Sequence, residues 1–477
     1  MQDREPCATA HNGGSSRELQ GVDEPMRTTV KRRQPRWRAV AASLLALSLI
    51  LAACGNGDET PDVDDTLDDV DAAEDPDEPE EDDGPGEDAA PGDIAADFGV
   101  DVDNQVLTIG ALDDTSGAGS TIGEPYAVGK RVAVEQQNAG DLDLLPEGWT
   151  VELIERDHGY NPQQSVAEFN AIKDDVLYFA TTFGTPNTLP LVDLATPEEI
   201  TLYPASLSSE LAVNEFTPPI GAPYKVEAEH AFAHALEEAG DDLAFGVIYQ
   251  LDDYGGDGLA GAEDAAAHHG IELVGAEGVA PGEADVTAPV QALQNAGATH
   301  ILLAVLPSTT GPVLGTAAQL GYQPVFYGLT ASWIDAFFNP DVLPPPVYAN
   351  YRWATGLPLW GEDLPGMEAF LAAYEQYGAD DYQPDFYILA SYTQALLGFE
   401  AFARALDAGD VTRSGYYEAL RTIDNFDAFG LYNEPIDMSS FPYVTLTDTR
   451  ILQPGESLED WTVLADWATP ESWAGIE

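Results

Sequence analysis

The residues of this chain that could do chemistry are small and uncharged, and they stand just after apolar runs. Ser116 and Gly117 follow Val106–Leu112, Thr185 and Asn187 follow Val176–Thr181, and Ala205 and Ser206 follow Ile200–Tyr203. Ser308 and Thr330 take the same place after His300–Val305 and Val325–Tyr327. Hydroxyl, amide and backbone N–H groups so placed either cap the next helix or hold a carboxylate, amide or other polar head. Reactive constellations are missing. Gly117-Ala118-Gly119 opens like a dinucleotide loop, but Gly123 falls one residue too far for GxGxxG and no acid-ended second strand follows. No GxSxG elbow and no Walker-type lysine loop occurs. His230 and His234 share a helical face without the glutamate of HExxH, so they read as surface or packing residues rather than zinc ligands. With no nucleophile beside a base, the expectation is a protein that is not an enzyme and carries no metal or cofactor.

The elements that must position these residues alternate. Strands read at Val106–Leu112, Trp149–Glu155, Val176–Thr181 and Ile200–Tyr203 are separated by helices read at Tyr126–Asn138, Pro162–Asp174 and from Leu189. The alternation then restarts. Helices at Lys225–Ala239, Gly258–His269, Val286–Ala296 and Gly311–Leu320 interleave with strands at Phe245–Tyr249, Ile271–Ala276, His300–Val305 and Val325–Tyr327. This is the signature of α/β architecture with two doubly wound, Rossmann-like lobes, and it predicts a ligand cleft between them. Strong helices at Met367–Tyr377 and Phe386–Leu406 follow a Pro-rich, aromatic stretch, and their position suggests a return to the first lobe. The long helix around Ile388, Tyr392, Leu396 and Phe399 reads as core.

Composition narrows the partners. The formal net charge of −66, from 84 acidic against 18 basic residues, excludes nucleic acid as a favoured partner. Cys7 and Cys54 are the only cysteines, so neither a disulfide framework nor a cysteine metal cluster is available. Lys31, Arg32, Arg33, Arg36 and Arg38 precede an apolar run, Ala39–Leu51, that is too short to span a membrane, for which ~20 residues are needed. Leu51-Ala52-Ala53-Cys54-Gly55 then resembles the lipobox of bacterial lipoproteins, which implies cleavage before Cys54 and lipidation of its thiol. Residues 1–53 thus read as a signal peptide, with Met26 a candidate start because acids precede the cationic patch. Arg32-Arg33 fits twin-arginine export only loosely. Residues 54–103 read as the anchor and an acidic tether. From Gly55 onward it holds 22 acids and no Lys or Arg, cannot offset its chain entropy by burial, and reaches about 160 Å when extended.

From about residue 105 to the end, the order of motifs resembles the branched-chain amino-acid type of periplasmic binding protein used by ABC importers. Four segments carry the resemblance. Leu107-Thr108-Ile109-Gly110 leads through Ser116-Gly117 to Glu135-Gln136-Gln137-Asn138-Ala139-Gly140, and Gly184-Thr185-Pro186-Asn187 leads to Tyr203-Pro204-Ala205-Ser206. Val247-Ile248-Tyr249 leads through Asp252-Asp253-Tyr254-Gly255-Gly256 to Pro281-Gly282-Glu283-Ala284-Asp285, and Ala317-Ala318-Gln319-Leu320-Gly321-Tyr322 precedes the strand ending at Gly328. The resemblance implies a three-crossing hinge, with crossings near Pro219–Pro223, Asn350–Thr355 and Gly430–Pro435. The lobes would divide as 104–222 and 351–432 for the first, and 223–350 with 433–477 for the second.

The resemblance further implies a monomer that closes over a small molecule and is read by an ABC permease, anchored to the cell membrane on its outer side. A ligand-sensing domain for a membrane signalling partner, or a secreted amidase or hydrolase, is the alternative. Ser116, Gly117, Thr185, Asn187, Ala205, Ser206, Ser308 and Thr330 are the candidate ligand contacts, and Tyr254 matches a family position facing the ligand from the second lobe. Three departures stand out. The family places a carboxylate near Thr330 for the ligand ammonium, a hydroxyl near Leu207, and aromatic rings near Ile122 and Leu306. An unpaired buried ammonium is costly, so a neutral or anionic solute, an amide or organic acid, is expected over an amino acid.

Overall fold

A computed structural model describes residues 94–378 and 382–476. The first lobe begins with β1 (Val106–Asp113), α1 (Ser120–Ala139), β2 (Thr150–Asp157), α2 (Pro162–Ile172), β3 (Phe179–Phe183), α3 (Thr185–Ala195) and β4 (Leu202–Ala205). The central strands β1 and β3 are almost wholly buried, as parallel strands covered on both faces must be. All four strands are parallel, in the order β2-β1-β3-β4. Helix α2 starts where Asn161 Oδ1 accepts the Gln163 and Gln164 N–H groups and Pro162 takes the first helical position. Helix α1 stops at Gly140, whose left-handed φ of 75° lets its N–H close on the last turn.

The second lobe repeats the plan. It comprises α4 (Tyr224–Ala239), β5 (Phe245–Gln250), α5 (Asp253–His269), β6 (Gly275–Val279), α6 (Thr287–Ala296), β7 (His300–Ala304), α7 (Pro307–Gln319), β8 (Val325–Gly328) and β9 (Tyr351–Thr355). Its parallel strands run β6-β5-β7-β8-β9, so each lobe reverses its winding at its first strand. The chain then returns to the first lobe through α8 (Met367–Tyr377), α9 (Phe386–Ala408) and α10 (Arg413–Leu420). Finally β10 (Thr449–Pro454) and β11 (Trp461–Ala468) add two antiparallel strands to the second sheet, on the free edge of β9. Among the described residues no helix is long and apolar enough to cross a membrane.

Three expectations change. The tether does not extend to residue 103. Ala95–Ala96 pairs with Asp410–Val411, Val100–Asp101 pairs with the start of β1, and Asp97 accepts the Arg413 N–H. Residues 94–103 are therefore part of the first lobe, and the rest of the tether, Cys54 and the signal region lie outside the described residues. The second crossing follows Thr355, because 351–355 is itself a strand of the second sheet. The third falls between Tyr443 and Thr449 rather than at Gly430–Pro435. There Tyr432 bonds Thr393 and Phe426 bridges Ile436, which hold that segment to the first lobe.

Candidate functional site

The carboxyl ends of the two central strand sets face each other, and between them lies a cavity walled by both lobes. Its position follows from topology: where winding reverses, adjacent connections leave on opposite sides of the sheet and open a crevice at the strand ends. From the first lobe its wall takes Ile122 and Tyr126 on α1, Tyr160 after β2, Phe183–Thr185 after β3, and Pro204–Leu207 after β4. Tyr224, Tyr254, Leu306, Thr330 and Ala331 come from the second lobe, and Tyr387 and Ala390 from the first turns of α9. Among the described residues no charged side chain lines it.

Five of the residues singled out in the sequence meet at this wall: Thr185, Ala205, Ser206, Tyr254 and Thr330. Gly184, at φ 85°, turns the chain so that Thr185 opens α3 inside the cavity. A Cβ at Gly184 would come within 2.9 Å of Tyr160 and Asn187. Thr185 Oγ1 lies 2.7 Å from Ser206 Oγ, which makes a hydroxyl pair at the first-lobe end. At the opposite wall the Tyr254 ring stands edge-on to Tyr224, centroids 4.7 Å apart.

The other four are not among the residues of the cavity wall, and their polar groups bond elsewhere in the protein. Asp114 folds over its own loop and accepts the Gly117 and Gly119 N–H groups at 2.6 and 2.7 Å. Ser116 donates to Asp157 at 2.6 Å. Asn187 donates to the Phe183 carbonyl, one turn back. Ser308 donates across the cleft to the Ala118 carbonyl at 2.9 Å, so it joins the lobes instead of facing the cavity. His230 and His234 are buried against Thr449 and Tyr327, and no metal-binding group of three or more His, Cys, Asp or Glu exists among the described residues.

No carboxylate stands near Thr330 along the chain, but one does in space. Glu227, in the first turn of α4, is fully buried behind Thr330. It accepts the Thr330 N–H at 2.8 Å, and Thr330 Oγ1 lies 2.5 Å from its other oxygen and 2.8 Å from Thr355 Oγ1. Burial without a counter-cation pushes its carboxyl up to about 8. At neutral pH it is therefore a neutral acid that fastens the cavity floor to the second crossing. It was missed because it lies about a hundred residues from Thr330 in a helix that reads as plain amphipathic. Tyr126, Tyr160, Tyr224 and Tyr387 were missed too. The signal available was the spacing Ile122/Tyr126 and Tyr387/Ala390, which puts each pair on one helical face.

The lobes meet in a closed arrangement, through carboxylates rather than ion pairs. Tyr160 donates to Asp252 at 3.2 Å, and Ser209 donates through its N–H to Asp257 at 3.1 Å. Asp335 of the second lobe and Asp385, which caps α9, exchange backbone bonds: the Phe386 N–H to Asp335 at 3.0 Å and the Asp335 N–H to Asp385 at 3.4 Å. Burial raises all four carboxyls, Asp257 to about 6 and Asp385 to about 7, and the neighbouring Asp385 charge raises Asp335 further.

Comparison with known proteins agrees with this architecture. The family model described as periplasmic binding protein matches residues 106–440. A fatty acid ABC transporter substrate-binding protein from Thermomonospora curvata superposes with a TM-score of 0.72 at 22% identity, covering 80% of this chain and 96% of that one. A branched-chain amino acid ABC transporter protein from Thermus thermophilus, solved with bound valine, gives 0.68 at 20% identity over 77% and 98%. LivJ from Streptococcus pneumoniae, in complex with isoleucine, gives 0.63 at 15% over 76% and 99%. No curated protein sequence matches. The chain belongs to the periplasmic binding protein family, and it shares the fold of the ABC transporter substrate-binding structures on which it superposes.

Proposed function

We propose that this chain is the lipid-anchored, extracytoplasmic receptor of an ABC importer, which closes its lobes on a compact, largely apolar solute with one hydrogen-bonding end. The observation that carries this is the wall itself: both lobes contribute, Ile122, Phe183, Leu207, Leu306 and Leu357 supply apolar surface, and Thr185 with Ser206 supplies the polar end. Thr185, Ala205, Ser206, Tyr254 and Thr330 are the proposed contacts. A free α-amino acid fits poorly, since Glu227 is screened by Thr330 and neutral at pH 7. The expectation of a mainly polar solute accordingly narrows to a single polar head on an apolar body. Relatives named for a fatty acid, valine and isoleucine bind molecules with apolar bodies, which supports that half of the reading.

The test is a thermal-shift screen of amides, organic acids, apolar amphiphiles and amino acids. A solute that binds only the folded state raises the melting temperature with concentration. Leu207→Asp should abolish the shift, and a shift that survives it would place binding elsewhere. The proposed anchor, Cys54, is tested by Cys54→Ser, which should release the protein from membranes.

A further inference from the structure

The cavity has one property that a neutral solute leaves unexplained: it is walled by aromatic rings and backed by carboxylates that have no counter-ion. Tyr126, Tyr160, Phe183, Tyr224, Tyr254 and Tyr387 all line it. Four of the five tyrosine hydroxyls are directed into the protein. Tyr126 donates to Gln394, Tyr160 to Asp252, Tyr254 to the Val305 carbonyl and Tyr387 to the Thr330 carbonyl. The cavity therefore meets ring surface at these positions. Asp252 lies directly behind Tyr160 and Glu227 directly behind Thr330, and neither forms an ion pair among the described residues. Among the described residues the one cation close to a lining ring, Lys130, is paired with Asp113 at 2.7 Å.

A buried acid without a counter-charge is held toward its neutral form, and a cation in the cavity would favour its carboxylate. A primary ammonium is a poor fit, because no anionic acceptor reaches the surface to replace its hydration. An ammonium whose charge is sheathed in methyl groups needs no donor–acceptor partner and is attracted by the electron-rich faces of aromatic rings. The acidic molecule as a whole also draws cations toward the cleft. An anionic head, by contrast, would face the same buried acids.

We propose that the solute of this cleft is a quaternary ammonium compound, held against the tyrosine rings and balanced by Asp252 and Glu227 one layer behind them. The proposal rests on the solute-receptor reading given above. It also withdraws the organic acid from the expected solutes.

The experiment is calorimetric titration of the full chain, at constant ionic strength, with choline and with its uncharged carbon isostere, neohexanol. Choline should bind, and neohexanol should bind about tenfold more weakly or worse. At pH 7 choline should also drive a proton from Glu227, seen as heats that depend on the ionisation enthalpy of the buffer. Glu227→Gln, which keeps the shape and the hydrogen bonds, should bind choline without that proton release. Equal binding of the two probes, or no heat from choline at millimolar concentration, overturns the proposal. If choline fails while a carboxylate or neutral amphiphile closes the lobes, only this inference falls. If no small molecule closes them, the receptor reading falls with it.

Discussion

Glu227 shows how little of a site's electrostatics is visible in a single sequence. Nothing in Lys225-Val226-Glu227-Ala228 distinguishes this acid from its solvated neighbours, yet the fold buries it completely and gives it Thr330 and no cation. Its carboxyl is raised from the ordinary range near 4.5 to about 8, so the folded state holds a proton that the unfolded chain has released. Stability must therefore fall as pH rises between those values, by about 1.4 kcal/mol per unit from this group. Glu227→Gln should match the wild type near pH 4 and exceed its stability by a few kcal/mol at pH 8. Urea melts at the two pH values check this, and a uniform loss in the variant would contradict it. The cavity-wall residues that were legible, Thr185, Ala205, Ser206, Tyr254 and Thr330, sit at strand ends or open a helix, where position follows from fold class. Ser116 was equally well placed along the chain, but whether a hydroxyl faces the cavity or a neighbour such as Asp157 depends on a partner outside its own loop.

At the scale of elements, the strands and helices were read nearly in place, and the systematic error lay at helix starts. α1, α5 and α7 begin at Ser120, Asp253 and Pro307, several residues before the apolar periodicity begins. Their first turns hold Gly123, Gly255 and Pro307, residues that penalise a helix interior but are tolerated in a first turn. Gly123 is there for contact: a Cβ on it would lie 1.9 Å from the Asp114 carbonyl oxygen. Strands β9, β10 and β11 were not read; the pairing that ties β10 and β11 to the sheet joins Trp353 to Leu452, across a long stretch of chain. Close approach also fixes α1 on α9, where a Cβ at Gly129 would stand 2.1 Å from the Ile388 carbonyl oxygen. Gly129→Ala gains up to about 1 kcal/mol of helix propensity but forces two backbones apart. The steric effect should dominate, with a net loss of about 1–3 kcal/mol by urea denaturation. At the exposed start of α2, Asn161→Ala should cost about 1 kcal/mol through the two amides it leaves uncapped.

For the whole molecule, the seam between lobes makes closure sensitive to protons. Asp335 and Asp385 approach only when the second-lobe loop meets the start of α9, and both carboxyls are raised there by burial, with Asp385 near 7. Their other neighbours are backbone N–H groups and the Trp333 indole, so no cation offsets them. Were the lobes to part, the two groups would be solvated and return toward ordinary values. The closed form therefore binds more protons, and raising the pH from the ordinary carboxylate range through about 7 should favour opening. Asp385→Asn should flatten this dependence, read as the pH profile of solute affinity; an unchanged profile would remove the pair from the closure equilibrium.

The central claim is that a hinged gap between two lobes performs the function, and the lips of that gap offer a direct reading. Thr121 opens the first lobe's α1, while Glu283 follows Gly282, whose added Cβ would lie 3.4 Å from that of Ala118 across the cleft; both Thr121 and Glu283 are exposed. Spin labels at Thr121→Cys and Glu283→Cys, with Cys7 and Cys54 replaced by Ser, report the distance between lobes. Without solute the distance should be longer or a broad mixture, and at saturation a single short distance should remain. One fixed distance, unchanged by a solute that demonstrably binds, would contradict it.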